Sequence, residues 1–139
     1  AIVFRHFPLD QLYPKGRITA EALECANKLG GNVTFWKYLD RLFLITPSEN
    51  RIDLNELPRI AEYVGLERSS FIDCQKTNDF GKRIDQNLGE AQLTGGTIRP
   101  WSILILSSGT KIPFSGIPTY QILKAIIDSD IERIRSVGE

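Results

Sequence analysis

The residues whose side chains are best suited to chemistry are two cysteines, Cys25 and Cys74. The residues alone leave three interpretations open. Both cysteines occupy apolar helix faces, so they fit two buried free thiols that act as small hydrophobic side chains. They also fit a structural disulfide, which would close a loop of about 50 residues and stabilise the fold by roughly 4 kcal/mol on chain-entropy grounds. A redox-active pair is favoured least, because neither cysteine stands at a helix start or beside a cluster of cations.

The single histidine, His6, and the clustered acidic residues give weaker signals. One histidine and two cysteines cannot supply the four ligands of a zinc site without help from carboxylates, and we expect no metal and no cofactor. A lone histidine in a strand is more often structural than catalytic. Near the C-terminus Asp128, Asp130 and Glu132 alternate with two arginines, which indicates a solvated helix face.

Composition and charge describe an ordinary globular domain and exclude several classes of protein. The 139 residues carry 17 basic and 17 acidic side chains, a net charge of zero. A general nucleic-acid binder needs a basic face to neutralise phosphates, so we expect no nucleic-acid partner. The longest apolar stretches are far shorter than the ~20 residues of a membrane span. No phosphate-binding glycine loop, nucleophile elbow or metalloprotease motif is present.

Hydrophobic spacing predicts the elements that would position these residues. The β-branched and aromatic run Ala1–Phe7 predicts a strand. A helix follows Thr19 and ends at the pair Gly30 and Gly31, and Thr34 is expected to cap a second helix. The buried stripes of these two helices are predicted to be Ala22, Cys25, Ala26 and Leu29, and then Phe35, Leu39, Leu42 and Phe43.

Three more helices, a hairpin and a last helix are predicted further along. After a break at Pro47, Ser48 and Asn50 comes a helix that ends in a Schellman motif at Gly65 and Leu66. Its apolar face is predicted to be Leu57, Ile60, Ala61 and Val64. A short helix then carries Phe71 and Cys74, and a longer one carries Phe80, Ile84, Leu88 and Ala91. The apolar run Trp101–Leu106 predicts a strand buried on both faces, and it turns into an edge strand at 111–114 that contains Pro113. The last helix starts near Tyr120, with Leu123, Ile126, Ile127, Ile131 and Ile134 directed inward.

Five segments of the chain occur in a characteristic order. They are Val3–Leu9 (Val-Phe-Arg-His-Phe-Pro-Leu), Ala22–Ala26 (Ala-Leu-Glu-Cys-Ala) followed by Phe35-Trp36, Gly65-Leu66 leading to Phe71 and Cys74, Gly95-Gly96 leading to Pro100 and the strand after it, and Gly109–Gly116 with Pro118 and the last helix. Together they resemble the DsbA-like branch of the thioredoxin superfamily, and the resemblance covers almost the whole chain.

The resemblance implies an α/β, thioredoxin-like fold with an inserted helical domain. Residues 1–139 would form one domain, with 1–9 and 97–139 as the thioredoxin core and 17–94 as the helical block. Family members begin with a central strand that leads into Cys-x-x-Cys, and no such motif occurs here. We therefore expect these residues to be part of a longer protein, or another chain to fill the place of that strand between Ala1–Phe7 and Trp101–Leu106.

The resemblance also implies site residues. Pro100 matches the family's cis-proline, which holds an extended polypeptide substrate like an added strand. Arg99 departs from the small or β-branched residue usual there; it fits a cation that stabilises a nearby thiolate or a solvated strand-edge arginine equally well. Trp101 fits either a groove wall or, preferably, the core. Relatives with cysteines at the positions of Cys25 and Cys74 favour the structural disulfide.

The function implied is thiol:disulfide exchange on protein dithiols and disulfides outside the cytoplasm, in the periplasm or cell envelope. The catalytic cysteines are absent from these residues, so the chain alone would be inactive. Extended polypeptides are the expected substrates, and a membrane redox protein is the expected partner for reoxidation. Two alternatives are a non-catalytic peptide-binding module and a relative of the kappa-class glutathione transferases and isomerases.

Overall fold

The computed structural model describes residues 1–9, 12–46, 51–77 and 79–137, and the break predicted at Pro47, Ser48 and Asn50 lies outside them. The described chain is 61% helical. It divides into two compact units, which we call unit 1 (Ala1–Gly89) and unit 2 (Glu90–Glu139). The elements in chain order are α1 (Lys15–Ile45), α2 (Glu56–Tyr63), α3 (Arg68–Thr77), α4 (Gly81–Leu93), β1 (Trp101–Ile105), β2 (Lys111–Ser115) and α5 (Tyr120–Val137).

The predicted α/β, thioredoxin-like fold class is wrong. In the described residues the sheet consists of β1 and β2 alone, so the chain is mostly helical and has no central sheet. The run Ala1–Phe7 is not a strand. Its apolar residues have a preference for extended structure, but only pairing with a neighbour makes a strand. Phe4 instead packs edge-on against Phe35 and Trp36 of α1, with ring centroids 5.7 and 6.4 Å away.

The glycine pair interrupts α1 as predicted. Gly31 has φ 73° and ψ −174°, which is not helical, so two helical segments meet there at a kink. Gly30 is needed for a different reason, because a Cβ at this position would lie 2.4 Å from the Thr34 hydroxyl. That hydroxyl donates a hydrogen bond to the Gly30 carbonyl at 2.8 Å, so Thr34 does not act as the amide cap expected from the sequence.

The core of unit 1 lies between α1, α2 and α3. Tyr38 is fully buried, stacks on Phe71 at 5.5 Å and donates its hydroxyl proton to the Leu57 carbonyl at 2.9 Å. Phe43, predicted to be buried, is 66% exposed. The buried stripe turns by about 100° per residue and therefore runs through the i, i+3, i+4 and i+7 positions of this segment, which are Phe35, Tyr38, Leu39 and Leu42.

Unit 2 consists of the end of α4, the hairpin and α5. Strands β1 and β2 pair antiparallel, with Ile103 opposite Pro113 and Ile105 opposite Lys111. The prediction that β1 is buried on both faces is wrong, since Ile105 is 62% exposed. The apolar stripe of α5 is also more exposed than predicted, because one hairpin and one helix have too little surface to cover each other's faces. None of the described helices combines the length and the apolar character of a membrane span.

Candidate functional site

A glycine turn at the end of α4 leads the chain to the residues predicted to bind substrate. The Gly96 N–H donates to the Ala91 carbonyl at 2.8 Å, and the Gly95 N–H donates to the Gln92 carbonyl at 3.0 Å. This pair of bonds is a Schellman motif. Gly95 has φ 87°, a left-handed conformation that a residue without Cβ adopts at little cost. The turn therefore ends α4 and fixes the direction of the segment that follows.

The same turn positions Trp101 at the start of β1. A Cβ on Gly96 would lie 2.8 Å from the Ala91 carbonyl oxygen and 3.1 Å from the Trp101 ring, so only glycine fits there. The indole Nε1–H of Trp101 donates to the Thr94 hydroxyl at 3.2 Å. Trp101 is half-buried, and its ring is held by the close approach of Gly96 and by the hydrogen bond to Thr94.

Arg99 and Pro100 lie between the turn and the strand. The peptide bond that joins them is cis. Pro100 is exposed, and its carbonyl accepts a hydrogen bond from the Gly116 N–H at 2.9 Å, which holds it to the end of β2. Arg99 is half-buried, and this burial lowers the pKa of its guanidinium from the usual value. An arginine stays protonated even so, and the segment therefore presents a cation, an exposed proline and an indole ring side by side.

This segment is suited to binding and offers no reacting group of its own. The sequence has two cysteines, and both are in a disulfide. Among the described residues no group of three or more His, Cys, Asp or Glu side chains is arranged to hold a metal ion. The segment can contact a ligand through charge, through ring surface and through backbone hydrogen bonds.

The disulfide lies in unit 1, where it joins α1 to α3. Cys25 is fully buried, Cys74 is 7% exposed, and their Cα atoms are 5.9 Å apart. The disulfide therefore links α3 covalently to α1, and the chain has no free thiol. The predicted site residues therefore belong to two sets, with Cys25 and Cys74 in unit 1 and Arg99, Pro100 and Trp101 in unit 2.

A buried polar cluster in unit 1 was missed by the sequence analysis. His6 Nε2 and Glu24 Oε1 are 2.9 Å apart, and both side chains are 4% exposed. The backbone N–H of His6 donates to Asn87 Oδ1 at 3.1 Å, and Arg83 lies 3.1 Å from Glu24 Oε2. The cluster holds the opening segment against α1 and α4. A glutamate within the apolar run Ala-Leu-Glu-Cys-Ala was the one sequence signal that could have revealed it.

The pKa of Glu24 reflects two opposing effects. Burial raises the pKa, because it disfavours the charged carboxylate. The hydrogen bond with His6 and the charge of Arg83 outweigh burial and hold the pKa of Glu24 below its ordinary value. The carboxylate is consequently ionised at neutral pH, and its negative charge is matched by polar and cationic neighbours.

The acidic cluster of α5 is more than a solvated helix face. Asp130 accepts hydrogen bonds from the backbone N–H of Ser107 at 2.8 Å and from its hydroxyl at 2.9 Å, and it pairs with Arg133. The Ser107 amide and the Arg133 side chain lower the pKa of Asp130 despite the opposing effect of burial. A shallow pocket of about 430 Å³ lies beside this cluster, lined by Leu106, Ala125, Ile126, Ser129, Asp130 and Arg133.

Comparison with known proteins gives no relative. No protein-family model, no curated protein and no solved structure matches this chain.

Proposed function

We propose that this chain is the polypeptide-recognition part of a DsbA-like thiol:disulfide oxidoreductase. The observation that carries the proposal is the segment Arg99–Trp101. It presents a cation, an exposed proline and an indole ring at the start of a strand, and the Gly95–Gly96 turn and the Gly116 hydrogen bond hold it in place. An extended polypeptide can bind such a segment through its backbone while its side chains contact the ring.

The thiol chemistry would come from cysteines outside these 139 residues. In the exchange reaction a thiolate attacks one sulfur of a disulfide, a mixed disulfide forms, and the second sulfur leaves as a thiolate. The part of Arg99 in this reaction is electrostatic, because a nearby cation favours the thiolate over the thiol. Pro100 and Trp101 hold the substrate chain so that its sulfur remains within reach.

The Cys25–Cys74 disulfide supports a location outside the cytoplasm. Disulfides persist in oxidising compartments and are rare in the cytosol. A buried disulfide between two helices is of the structural kind, and it would survive in the periplasm or cell envelope. An oxidase in that compartment has to be reoxidised after each turnover, and we propose a membrane redox protein for this step.

A second candidate is a polypeptide-binding module without catalysis. It is favoured by one observation, namely that both cysteines of the chain are held in a buried disulfide and leave no thiol for exchange. This candidate uses the same segment, Arg99–Trp101, to bind polypeptides. It differs from the first in needing no cysteines from elsewhere.

The two candidates are separated by assaying the full gene product for oxidation of a reduced peptide that contains two cysteines. An oxidoreductase will convert the dithiol to a disulfide, and Arg99→Gln will slow the reaction and raise the apparent pKa of the attacking thiol. The matched control is Arg59→Gln, an exposed arginine of α2 paired with Glu56, which will leave both quantities unchanged. Peptide binding without thiol oxidation identifies the binding module. If the full gene product shows no peptide binding and no thiol oxidation, both candidates are refuted.

A further inference from the structure

The second helical segment of α1, residues 32–45, has apolar side chains on two opposite sides. One side packs into the core of unit 1. On the other side, residues spaced i, i+4, i+7 and i+11 share one face of the helix. We call this the outer face, and its residues are Val33, Lys37, Asp40 and Leu44. A helix that is apolar on both sides is ordinarily covered on both.

The apolar residues of the outer face are open to solvent. Leu44 is 76% exposed and Val33 is 66% exposed. Phe43, at the margin of the outer face, is also exposed. The contacts of this segment with α2 and α3 are made from the opposite side, through Tyr38. Single exposed apolar residues are common on protein surfaces, but a row of them along one helix indicates an interaction surface.

The outer face also carries one charge of each sign. Lys37 and Asp40 are exposed and lie one helical turn apart, between Val33 and Leu44. In the part of the chain that the structure describes, neither side chain has an ion-pair partner. The outer face is therefore neutral as a whole, and it is complementary to a surface that presents a carboxylate opposite Lys37 and a cation opposite Asp40.

The outer face is complementary to itself when a second copy runs antiparallel. Val33 and Leu44 are equally far from the midpoint between residues 38 and 39, and so are Lys37 and Asp40. A two-fold axis through this midpoint places Leu44 of the second copy against Val33, and Asp40 of the second copy against Lys37. Each contact then occurs twice, as in every two-fold interface. A parallel arrangement would place lysine against lysine, which like charges disfavour.

We propose that the outer face of α1 binds the outer face of a second copy of the chain and forms an antiparallel, two-fold dimer. The contact extends along about 16 Å of each helix, because the helix rises 1.5 Å per residue. An interface of this length belongs to the small, transient class, so the dimer dissociates on dilution. No thiol takes part, and the inference does not depend on the proposed function.

A second copy is a better occupant than an apolar segment of another kind. A purely apolar partner would cover Lys37 and Asp40 without pairing them, and burying unpaired charges is unfavourable. A suitable partner has to bring apolar side chains together with one charge of each sign, in the reverse order. The chain itself presents this pattern on an exposed helix face.

Self-association is tested by sedimentation equilibrium of the full gene product between about 1 µM and about 1 mM. The average mass is expected to rise from that of a monomer toward that of a dimer. Lys37→Asp and Asp40→Lys each turn both attractive pairs into repulsive ones, and each is expected to weaken association about tenfold or more. An equal mixture of the two variants is expected to associate again, because every pair then joins opposite charges. Lys76→Asp, at an exposed lysine of α3, is the matched control and will leave association unchanged.

Two further measurements locate the contact. Leu44→Gln is expected to weaken association about tenfold or more, since apolar burial is lost twice per dimer. Leu93→Gln, at an exposed leucine of α4, is its control. A carbodiimide will join the Lys37 amine to the Asp40 carboxylate as an amide, with loss of water. In an equal mixture of unlabelled and isotope-labelled chain, cross-linked peptides of mixed isotope come only from two copies. This cross-link is measured on the unchanged chain, and circular dichroism establishes that the variants are folded.

Three results would overturn the dimer proposal. They are a monomer mass at all concentrations up to about 1 mM, association of the charge variants as strong as that of the unchanged chain, and no association in the mixture of two variants that are each monomeric. With the first result, the outer face is open or is covered by another part of the gene product. Each result leaves the oxidation of a dithiol peptide untouched, so this proposal and the proposed function can fail separately.

Discussion

Reducing the Cys25–Cys74 disulfide is expected to lower the free energy of unfolding of unit 1 by about 4 kcal/mol. The bond joins residues 49 positions apart. For a loop of this size, the entropy that the cross-link removes from the unfolded chain is about 14 cal/mol/K, which at 25 °C corresponds to about 4 kcal/mol. Both cysteines lie on helices that also pack against each other in the core, so the folded state keeps its packing without the bond. Most of the lost stability therefore comes from the greater conformational entropy of the reduced unfolded chain.

The effect is measured by guanidinium unfolding with and without excess reductant. A chain carrying Trp101→Phe retains Trp36 as its fluorescent reporter, and Trp36 packs against Phe35 in unit 1. The double variant Cys25→Ala/Cys74→Ala is the control, since its unfolding will not respond to reductant. The untreated protein should also be about 2 Da lighter than the reduced protein, because forming the bond removes two hydrogens. A difference below about 1 kcal/mol, or alkylation of both cysteines in the unfolded, unreduced protein, would refute the reasoning.

Three further predictions concern buried polar groups and close contacts. Glu24→Gln is expected to lower the free energy of unfolding by about 2 kcal/mol at neutral pH. The control Asp85→Asn, at an exposed residue, is expected to lower it by less than about 1 kcal/mol. Because the pKa of Glu24 is lowered in the folded state, its stabilisation is full above the ordinary value of 4.5 and is lost as the pH falls through the folded-state pKa. Equal losses for the two variants in urea unfolding, or a Glu24→Gln deficit that persists in acid, would contradict this. Gly96→Ala is expected to lower the free energy of unfolding by about 1–3 kcal/mol by overpacking. Gly89→Ala, whose added Cβ would meet nothing within 4 Å, should instead stabilise α4 by about 0.5–1 kcal/mol. Thermal unfolding that ranks the two variants the other way would disprove the close contact of Gly96 with the Ala91 carbonyl and the Trp101 ring. Tyr38→Phe removes the hydrogen bond from the Tyr38 hydroxyl to the Leu57 carbonyl and should lower the free energy of unfolding by about 1 kcal/mol. An unchanged midpoint in urea would show that the bond contributes nothing.

Sequence patterns predicted the structure correctly where it depends on residues close together in the chain. The face of α2 at Leu57, Ile60 and Ala61 is buried as its spacing predicts. The Schellman motif at Gly65 is confirmed by bonds from Gly65 to Glu62 and from Leu66 to Ala61. Each depends on residues within one or two helical turns, so the information needed lies in one short window.

Patterns failed where a distant partner decides the outcome. An apolar run such as Ala1–Phe7 has the composition of a strand, but a strand exists only where another one pairs with it, and the sequence does not show which segments meet. The exposed stripe of α5 has the same cause, since amphipathic spacing predicts a face but not the surface that covers it. The cluster of His6, Glu24 and Asn87 joins residues 18 and 81 positions apart, far beyond any local motif.

The placement of the candidate site was predictable in part. Arg99, Pro100 and Trp101 are consecutive, so their proximity follows from the sequence itself. The close fit of Gly96 against the Trp101 ring depends on how α4 ends, and the glycine pair predicted only that a turn was there. The register of β1 against β2, with Ile103 opposite Pro113, was not determined by the sequence.

The proposed function is tested most directly by the sequence of the complete gene that encodes this chain. We predict an in-frame Cys-x-x-Cys motif outside the 139 residues described above, because the chain's own cysteines are held in a disulfide and thiol exchange requires a free thiolate. A complete reading frame whose only cysteines are Cys25 and Cys74 would contradict an oxidoreductase and leave a polypeptide-binding module in its place.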